Sequence, residues 1–325
     1  MYIITGGAGF IGSAMVWRLN QAGITDILVV DHLASTEKWR NLVNLRYADY
    51  MDRGEFLRLV RERSSELVTV KGIVHMGACS STTERDAGFL MENNFHYTRE
   101  LCLAAQWSGA RFVYASSAAT YGNGEAGFND SHSGIEGLRP LNMYGYSKQL
   151  FDLWALRSGA LDSVAGLKFF NVYGPNEYHK GDMRSVVCKA FADILKSGEM
   201  TLFASDRQEY LDGGQMRDFV YVKDCCDVLF WLLERPEVNG LYNLGSGQAR
   251  TWNDLATALF AAMSVPRVVR YVPMPEYLRG KYQYFTEAPM AKLREAGYPM
   301  RFHSLEEGVS DYVRGYLASD DPCLG

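Results

Sequence analysis

Tyr144 and Lys148 stand four residues apart in Tyr144-Gly145-Tyr146-Ser147-Lys148, at the start of a segment with helical spacing. On a helix that spacing puts both side chains on one face. An ammonium close to a phenol lowers its pKa from about 10 toward neutrality, and the phenolate can then take the proton of an alcohol. Lys148 could also hold a nucleotide ribose. Upstream, Ala115-Ser116-Ser117-Ala118-Ala119-Thr120-Tyr121-Gly122 closes a strand-like run, where Ser117 can hydrogen-bond a reacting oxygen as its charge changes. A Tyr and a Lys at this separation are also common on surface helices, so their weight comes from what precedes them.

What precedes them is Thr5-Gly6-Gly7-Ala8-Gly9-Phe10-Ile11-Gly12, placed between the first strand and an amphipathic helix. Gly6 allows the tight turn, Gly9 lets backbone approach a pyrophosphate, and Gly12 lets helix and strand pack closely, with the helix N-terminus favouring negative charge. The second strand ends in Asp31, 19 residues after Gly12, where a carboxylate can accept from adenosine ribose hydroxyls. Asp31 alone argues for NAD, because it repels a 2′-phosphate. His32, Lys38 and Arg53 supply donor or positive groups nearby, so the spacing leaves NAD and NADP both open. Asp49, after a further short strand-like segment, could accept from the adenine amino group.

These residues need a scaffold, and the chain's rhythm supplies one. Short apolar runs at Tyr2–Thr5, Ile27–Val30, Gly72–His75, Arg111–Ala115 and Leu167–Phe170 alternate with helical segments near 12–22, 53–63, 86–107 and 145–158. Strands apolar on both faces belong in a parallel sheet covered by helices. The pattern predicts an α/β, Rossmann-type doubly wound parallel sheet over residues 1–174, with a smaller mixed α/β substrate lobe over 175–325. A segment of about 218–245 is expected to return to the first domain. Later elements are expected at Thr201–Phe203, Asp218–Val222, Lys223–Glu234, Leu241–Leu244, from Thr251, at 288–296 and at 304–317, where Ser304 and Glu307 have capping-box spacing. The glycine-rich stretch Gly122–Gly137 reads as a lid or surface loop, and Phe230 and Trp231 read as core. His75, at a strand end, reads as a packed histidine.

Composition excludes several alternatives. Among 325 residues, 33 Lys+Arg against 38 Asp+Glu give a net charge of −5, with the positive residues scattered, which disfavours nucleic-acid binding. The longest apolar stretch, Val228 to Leu233, falls far short of the roughly 20 residues that cross a bilayer. No secretory signal is visible ahead of Tyr2-Ile3-Ile4, so a cytoplasmic place is expected. Cys79, Cys102, Cys188, Cys225, Cys226 and Cys323 lack metal-ligand or disulfide-framework spacing and read as reduced thiols, with no metal site.

With the glycine motif and the Tyr-x-x-x-Lys motif, the chain resembles the extended short-chain dehydrogenase/reductase family along essentially its whole length. More specific strings carry the likeness further: His75 through Glu84 (HMGACSSTTE), Ser116 through Gly122, Phe170 through Pro175 (FNVYGP), His179-Lys180-Gly181, Arg217 through Val222, and Tyr282 through Thr286. The resemblance implies an isomerase that inverts C6 of an ADP-heptose, a precursor of lipopolysaccharide core, by transient oxidation with tightly bound NADP. It places Gly6, Gly9, Phe10, Ile11, Gly12, Asp31, His32, Lys38, Arg53, Met76, Gly77, Ala78, Cys79, Ser80, Asn93, Lys148, Val172 and Lys180 at cofactor positions. Tyr144 and Lys180 become the acid/base pair, with Ser117 and Lys148 assisting. Asn171, Asp182, Lys189, Phe203, Ala204, Ser205, Asp206, Arg217 and Tyr282 fall at substrate positions. The planar fork of Arg217 suits a diphosphate. The chain departs from the family pattern at His32, Arg53, Met76, Asp182 and Lys189, and by an insertion near Glu209–Gln215. A 4-epimerase or 4,6-dehydratase shares Ser117, Tyr144 and Lys148, but a dehydratase would carry an Asp-Glu pair where this chain has Ala118-Ala119. A non-catalytic dinucleotide-binding protein would lack the intact set. A homo-oligomer, a pentamer, is implied as well.

Overall fold

Ile3, Leu28, Ile73 and Phe112 alternate along their strands with Ile4, Val29, Val74 and Val113, and the two sets bury in separate cores on opposite faces of one sheet. With both faces covered, each such side chain contributes about 1.5–3 kcal/mol. The structure, a computed structural model, describes residues 1–276 and 282–325. Its strands are β1 (Tyr2–Thr5), β2 (Ile27–Asp31), β3 (Asp49–Asp52), β4 (Gly72–His75), β5 (Arg111–Ser117), β6 (Ala165–Phe169), β7 (Asn171–Tyr173), β8 (Met200–Phe203), β9 (Met216–Tyr221), β10 (Gly240–Leu244), β11 (Ala249–Thr251) and β12 (Val269–Val272).

The large sheet runs β10-β6-β5-β4-β1-β2-β3 and is parallel throughout. The chain winds outward from β1 to β3 and then restarts on the other side at β4, so the strand order reverses between β1 and β4. A crevice at the C-terminal ends of strands opens at such a point. Helices Phe10–Gln21 and Val222–Leu233 bury Met15, Leu19, Val228 and Leu229 against one face. Helices Arg53–Arg61, Tyr97–Ser108 and Met143–Arg157 bury Phe56, Leu101 and Phe151 against the other. A β11-β9-β7 sheet and a parallel β12-β8 pair stand apart from the large sheet.

The doubly wound α/β class agrees with the alternation read from sequence. Departures have local causes. β3 escaped the strand list because Asp49-Tyr50-Met51-Asp52 is half polar, as an edge strand at the end of the sheet can be. The helix expected over 86–107 is Ala87–Leu90, a widened π-type turn Met91–His96, and Tyr97–Ser108. The helix expected over 288–296 is shortened to Ala291–Glu295, beginning just after Pro289. Ser304 and Glu307 do form a reciprocal capping box.

The Gly122–Gly137 stretch is no free lid. It is fastened along β10, the sheet's edge: Asp130 accepts from the Asn243 amide at 2.8 Å, and His132 Nε2 accepts from the Leu241 amide at 3.1 Å. Phe128 packs with Tyr121 and Phe170 beneath it. No helix among the described residues is long and apolar enough to cross a membrane.

A Cβ built on Gly12 would lie 2.0 Å from the Gly6 carbonyl oxygen. Gly12→Ala must therefore pry the first helix off β1. We expect a loss of about 2 kcal/mol or more, read as a lowered denaturation midpoint together with loss of nucleotide binding.

Candidate active site

Gly6 adopts φ +65°, and a Cβ on it would lie 2.7 Å from the Gly77 amide nitrogen. The turns after β1 and β4 thus meet backbone to backbone, bringing Gly6, Gly9, Phe10, Ile11 and Gly12 beside Met76 through Ser80. Gly9 caps the first helix with no side-chain bond, and no acidic residue sits in its first turn. The first-turn amides are left for an anion.

Asp31 is held from several sides. Its Oδ2 accepts from the Ala8 amide at 2.9 Å, and its Oδ1 accepts from the His32 amide at 2.7 Å and from Lys38 Nζ at 2.6 Å. His32 in turn contacts Asp52 at 2.9 Å, and Arg53 donates to Asn93. The register of β3 pairs Asp52 with Asp31 but Asp49 with Leu28, so Asp49 lies at the strand's other end. Its carboxylate accepts from the neighbouring Tyr50 amide. The adenine role considered for Asp49 is therefore corrected: the carboxylate at the crevice end of β3 is Asp52.

Ser117 closes β5, and its hydroxyl accepts from the Ala119 amide at 3.1 Å, capping the turn Ala118–Tyr121. Asn142 caps the helix Met143–Arg157 by accepting from the Gly145 amide, which sets Tyr144 in its first turn. Burial pushes the Tyr144 phenol up, and a hydrogen bond with Ser117 pulls it partly back. The lowering expected from Lys148 is not what this state shows. Lys148 Nζ instead donates to the Ala115 carbonyl at 2.8 Å, and burial pushes its ammonium down to about 8.

Lys180 occupies a turn, Tyr178–Met183, that hangs over the glycine motif. It is partly buried, with Nζ 5.4 Å from the centroid of the Phe10 ring. Burial lowers the amine, and nearby Glu177 opposes that. Glu177 is itself buried and ties the turn down, accepting from Ser185 Oγ at 2.6 Å and from the Gly174 amide at 3.4 Å.

Lys189, Phe203 and Tyr282 line one cavity of about 290 Å³ with Trp252. Arg217 is buried with its guanidinium 4.9 Å from the Tyr282 ring centroid, and the Tyr282 hydroxyl accepts from Trp252 Nε1 at 2.9 Å. Asp206 bonds Tyr284, and the Ser205 amide donates to Asp212 at 2.8 Å. Ala204 continues β8 through its amide to the Val272 carbonyl. Asp182 is exposed and meets Lys189 only through its backbone carbonyl, at 3.2 Å. Asn171 is exposed and Val172 half-buried on β7, and neither side chain bonds this group. A larger open groove, about 920 Å³, lies outside β3 beside Trp39 and Tyr47, away from these residues.

Sequence reasoning passed over the asparagines that brace the site. Asn94, buried in the π-type turn, accepts from the Cys79 amide and donates to the Cys79 carbonyl, both at 2.9 Å, and to Ser147 Oγ at 3.0 Å. Asn41 donates to the carbonyls of Ala8 and Asn176, both at 3.0 Å. The Asn93-Asn94 pair inside an otherwise helical stretch was the available signal, since π-type turns recur at functional sites. His75 is the packed histidine it reads as, buried between Thr5 and Thr98 hydroxyls at 2.6 and 2.8 Å.

The model of the NAD dependent epimerase/dehydratase family matches residues 2–245. A relative from Nitratidesulfovibrio vulgaris (strain ATCC 29579) named ADP-L-glycero-D-manno-heptose-6-epimerase is 64% identical over 324 residues, covering 100% of both chains. One of the same name from Fusobacterium nucleatum is 48% identical over 334 residues, again covering 100% of both. Among solved structures, the Helicobacter pylori ADP-L-glycero-D-manno-heptose-6-epimerase superposes with TM-score 0.80 at 26% identity, covering 97% of this chain and 95% of that one. A Thermotoga maritima UDP-glucose 4-epimerase with UDP-glucose gives TM-score 0.77 at 25% identity, covering 96% and 97%.

Lys148 loses its proton near pH 8, well below an ordinary lysine. With Lys148 at the ribose, as its place in the Tyr-x-x-x-Lys motif leads one to expect, nicotinamide nucleotide affinity should hold below about pH 8 and weaken as pH rises through it. Fluorescence titration over about three pH units, roughly pH 6.5–9.5, would show this in the wild type, and the slope should vanish in Lys148→Met.

Proposed function

The chain belongs to the NAD dependent epimerase/dehydratase family, and from that premise we propose that it converts ADP-D-glycero-D-manno-heptose to ADP-L-glycero-D-manno-heptose. The observation that carries a two-base inversion is Lys180, a partly buried amine held over Phe10 at the mouth of the glycine turn. The sugar itself comes over from the name shared by relatives at 64% and 48% identity.

The residues present fit a dinucleotide: an uncapped helix start without acidic residues, a glycine turn whose close packing on the turn after β4 leaves no room for a side chain at Gly6, and a polar cluster at the end of β2. NADP suits that cluster better than NAD. Lys38 at 2.6 Å offsets the charge of Asp31, and His32 and Arg53 follow the neighbouring ends of β2 and β3, where they would be available to a 2′-phosphate. When bound, the nicotinamide supplies a reversible store for the hydride of an alcohol carbon that is not acidic. Lys148 holds the ribose. Ser117 hydrogen-bonds the sugar oxygen. Tyr144 exchanges the proton of one epimer and Lys180 that of the other, so each face of the carbon has its own proton partner. Lys189, Phe203 and Tyr282 receive the nucleoside end, and Arg217 binds the diphosphate. The same reading includes a cytoplasmic homo-oligomer, a pentamer.

Purified protein given the ADP-heptose epimers without added cofactor should invert C6 and leave UDP-hexoses unchanged. Tyr144→Phe and Lys180→Met should each lose about 10²-fold or more in turnover while retaining the nucleotide released on denaturation. Near-normal turnover in Lys180→Met would rule out the second base. Turnover of a UDP-hexose alone would favour the 4-epimerase reading, for which the intact Ser117, Tyr144 and Lys148 set speaks.

Lys38→Ala should leave Asp31 uncompensated. A drop of about tenfold or more in preference for NADP over NAD is expected, measured by competition between the two nucleotides.

A further inference from the structure

Asp152 and Lys168 are both fully buried and meet at 2.9 Å. Burying two charges costs more than their attraction commonly returns, and an apolar pair can fill such a space without loss, so stability is a weak reason for this pair to exist. What the pair touches is more telling. Lys168 Nζ also donates to Thr120 Oγ1 at 2.6 Å and lies 5.0 Å from the Tyr121 ring centroid. Asp152 accepts from Tyr114 at 3.0 Å and from Ser116 Oγ at 2.6 Å. The groups arrive from β5, from the turn Ala118–Tyr121, from β6 and from the helix Met143–Arg157.

Each of these anchors adjoins the chemistry. Ser116 precedes Ser117, Thr120 sits in the turn that Ser117 caps, and Asp152 stands one helical turn beyond Lys148 and two beyond Tyr144. We propose that Asp152 and Lys168 are positioning residues: the pair fixes the helix bearing Tyr144 and Lys148 in register with the strand bearing Ser117, and Asp152, one turn along the same helix, sets a negative charge on the face that carries Lys148. The proposal rests on Lys148 acting as read above. Around Lys148, β4 presents neutral, buried His75 and the turn after it presents Cys79, β5 presents the Ala115 carbonyl, and the helix itself presents Tyr144 and Asp152. Asp152 and Cys79 both favour the charged ammonium against burial, Asp152 the more strongly.

The test compares wild type with the double variant Asp152→Asn/Lys168→Met, which removes both charges and so leaves none buried alone. Two readouts are taken: steady-state kinetics on the ADP-heptose, and NADPH affinity by fluorescence as a function of pH. We expect kcat to fall about tenfold or more with KM within about threefold, and the alkaline midpoint of nucleotide binding to drop by roughly half to one pH unit. A folded double variant with the wild-type midpoint and kcat within about threefold overturns the proposal. Should the double variant not fold, Ser116→Ala decides. It deletes one donor and keeps both charges, and a kcat lowered about threefold at unchanged KM supports the proposal, whereas wild-type kcat overturns it. If wild type does not turn over the ADP-heptose yet the nucleotide midpoint still shifts in the double variant, the sugar assignment fails and the role of the pair stands.

Discussion

The turns after β1 and β4 press backbone against backbone, and the glycine motif of the proposed nucleotide crevice is held by that contact. A single extra carbon on Gly6 would reach within 2.7 Å of the Gly77 amide. Close approach keeps the first helix's amides, the β4 turn and the end of β5 around one crevice. The large cores on either side of the sheet hold these turns in place, so packing far from the site fixes geometry within it.

Charge is distributed around the crevice by burial. Asp31 is tied by a loop amide and by Lys38, Glu177 is tied by Ser185 and Gly174, and Asp152 is tied by Lys168 and two hydroxyls. Each carboxylate is satisfied by the protein, and each braces a segment that bears a lysine: the residues after β2, the turn with Lys180, and the helix with Lys148. The lysines therefore extend from anchored backbone. Low local dielectric makes such satisfied networks rigid and specific.

The sheet and its helices were legible because their signals are periodic: strands apolar on both faces, a glycine turn, an acid at the end of β2. Tyr144, Lys148 and Ser117 could be read from spacing, since a helical turn and a strand end are local. Lys180 could not, because its turn reaches the glycine motif only after the chain has crossed the sheet. Which end of β3 carries Asp49 could not be read either, because the register of β3 is a pairing property with no local mark. Asp152 and Lys168 lie in apolar runs, where sequence alone shows an interrupted pattern without its partner. The pull of Lys148 on the phenol is not legible from spacing, because helical spacing says which face a side chain shares and not where its terminal amine bonds.

The far edge of the sheet carries a different consequence. Asp130, His132 and Lys292 use side chains to occupy polar backbone groups of β10, with Lys292 Nζ donating to the Leu241 carbonyl at 2.7 Å. The chain has thus stopped sheet growth at that side without spending another strand on it. Since Lys292 lies beyond β12, a molecule in which the segment bearing it detaches would uncover the Leu241 carbonyl on the β10 edge. An edge closed in this way depends on a side chain from a distant part of the sequence, so its protection is a tertiary property and not one of the strand itself.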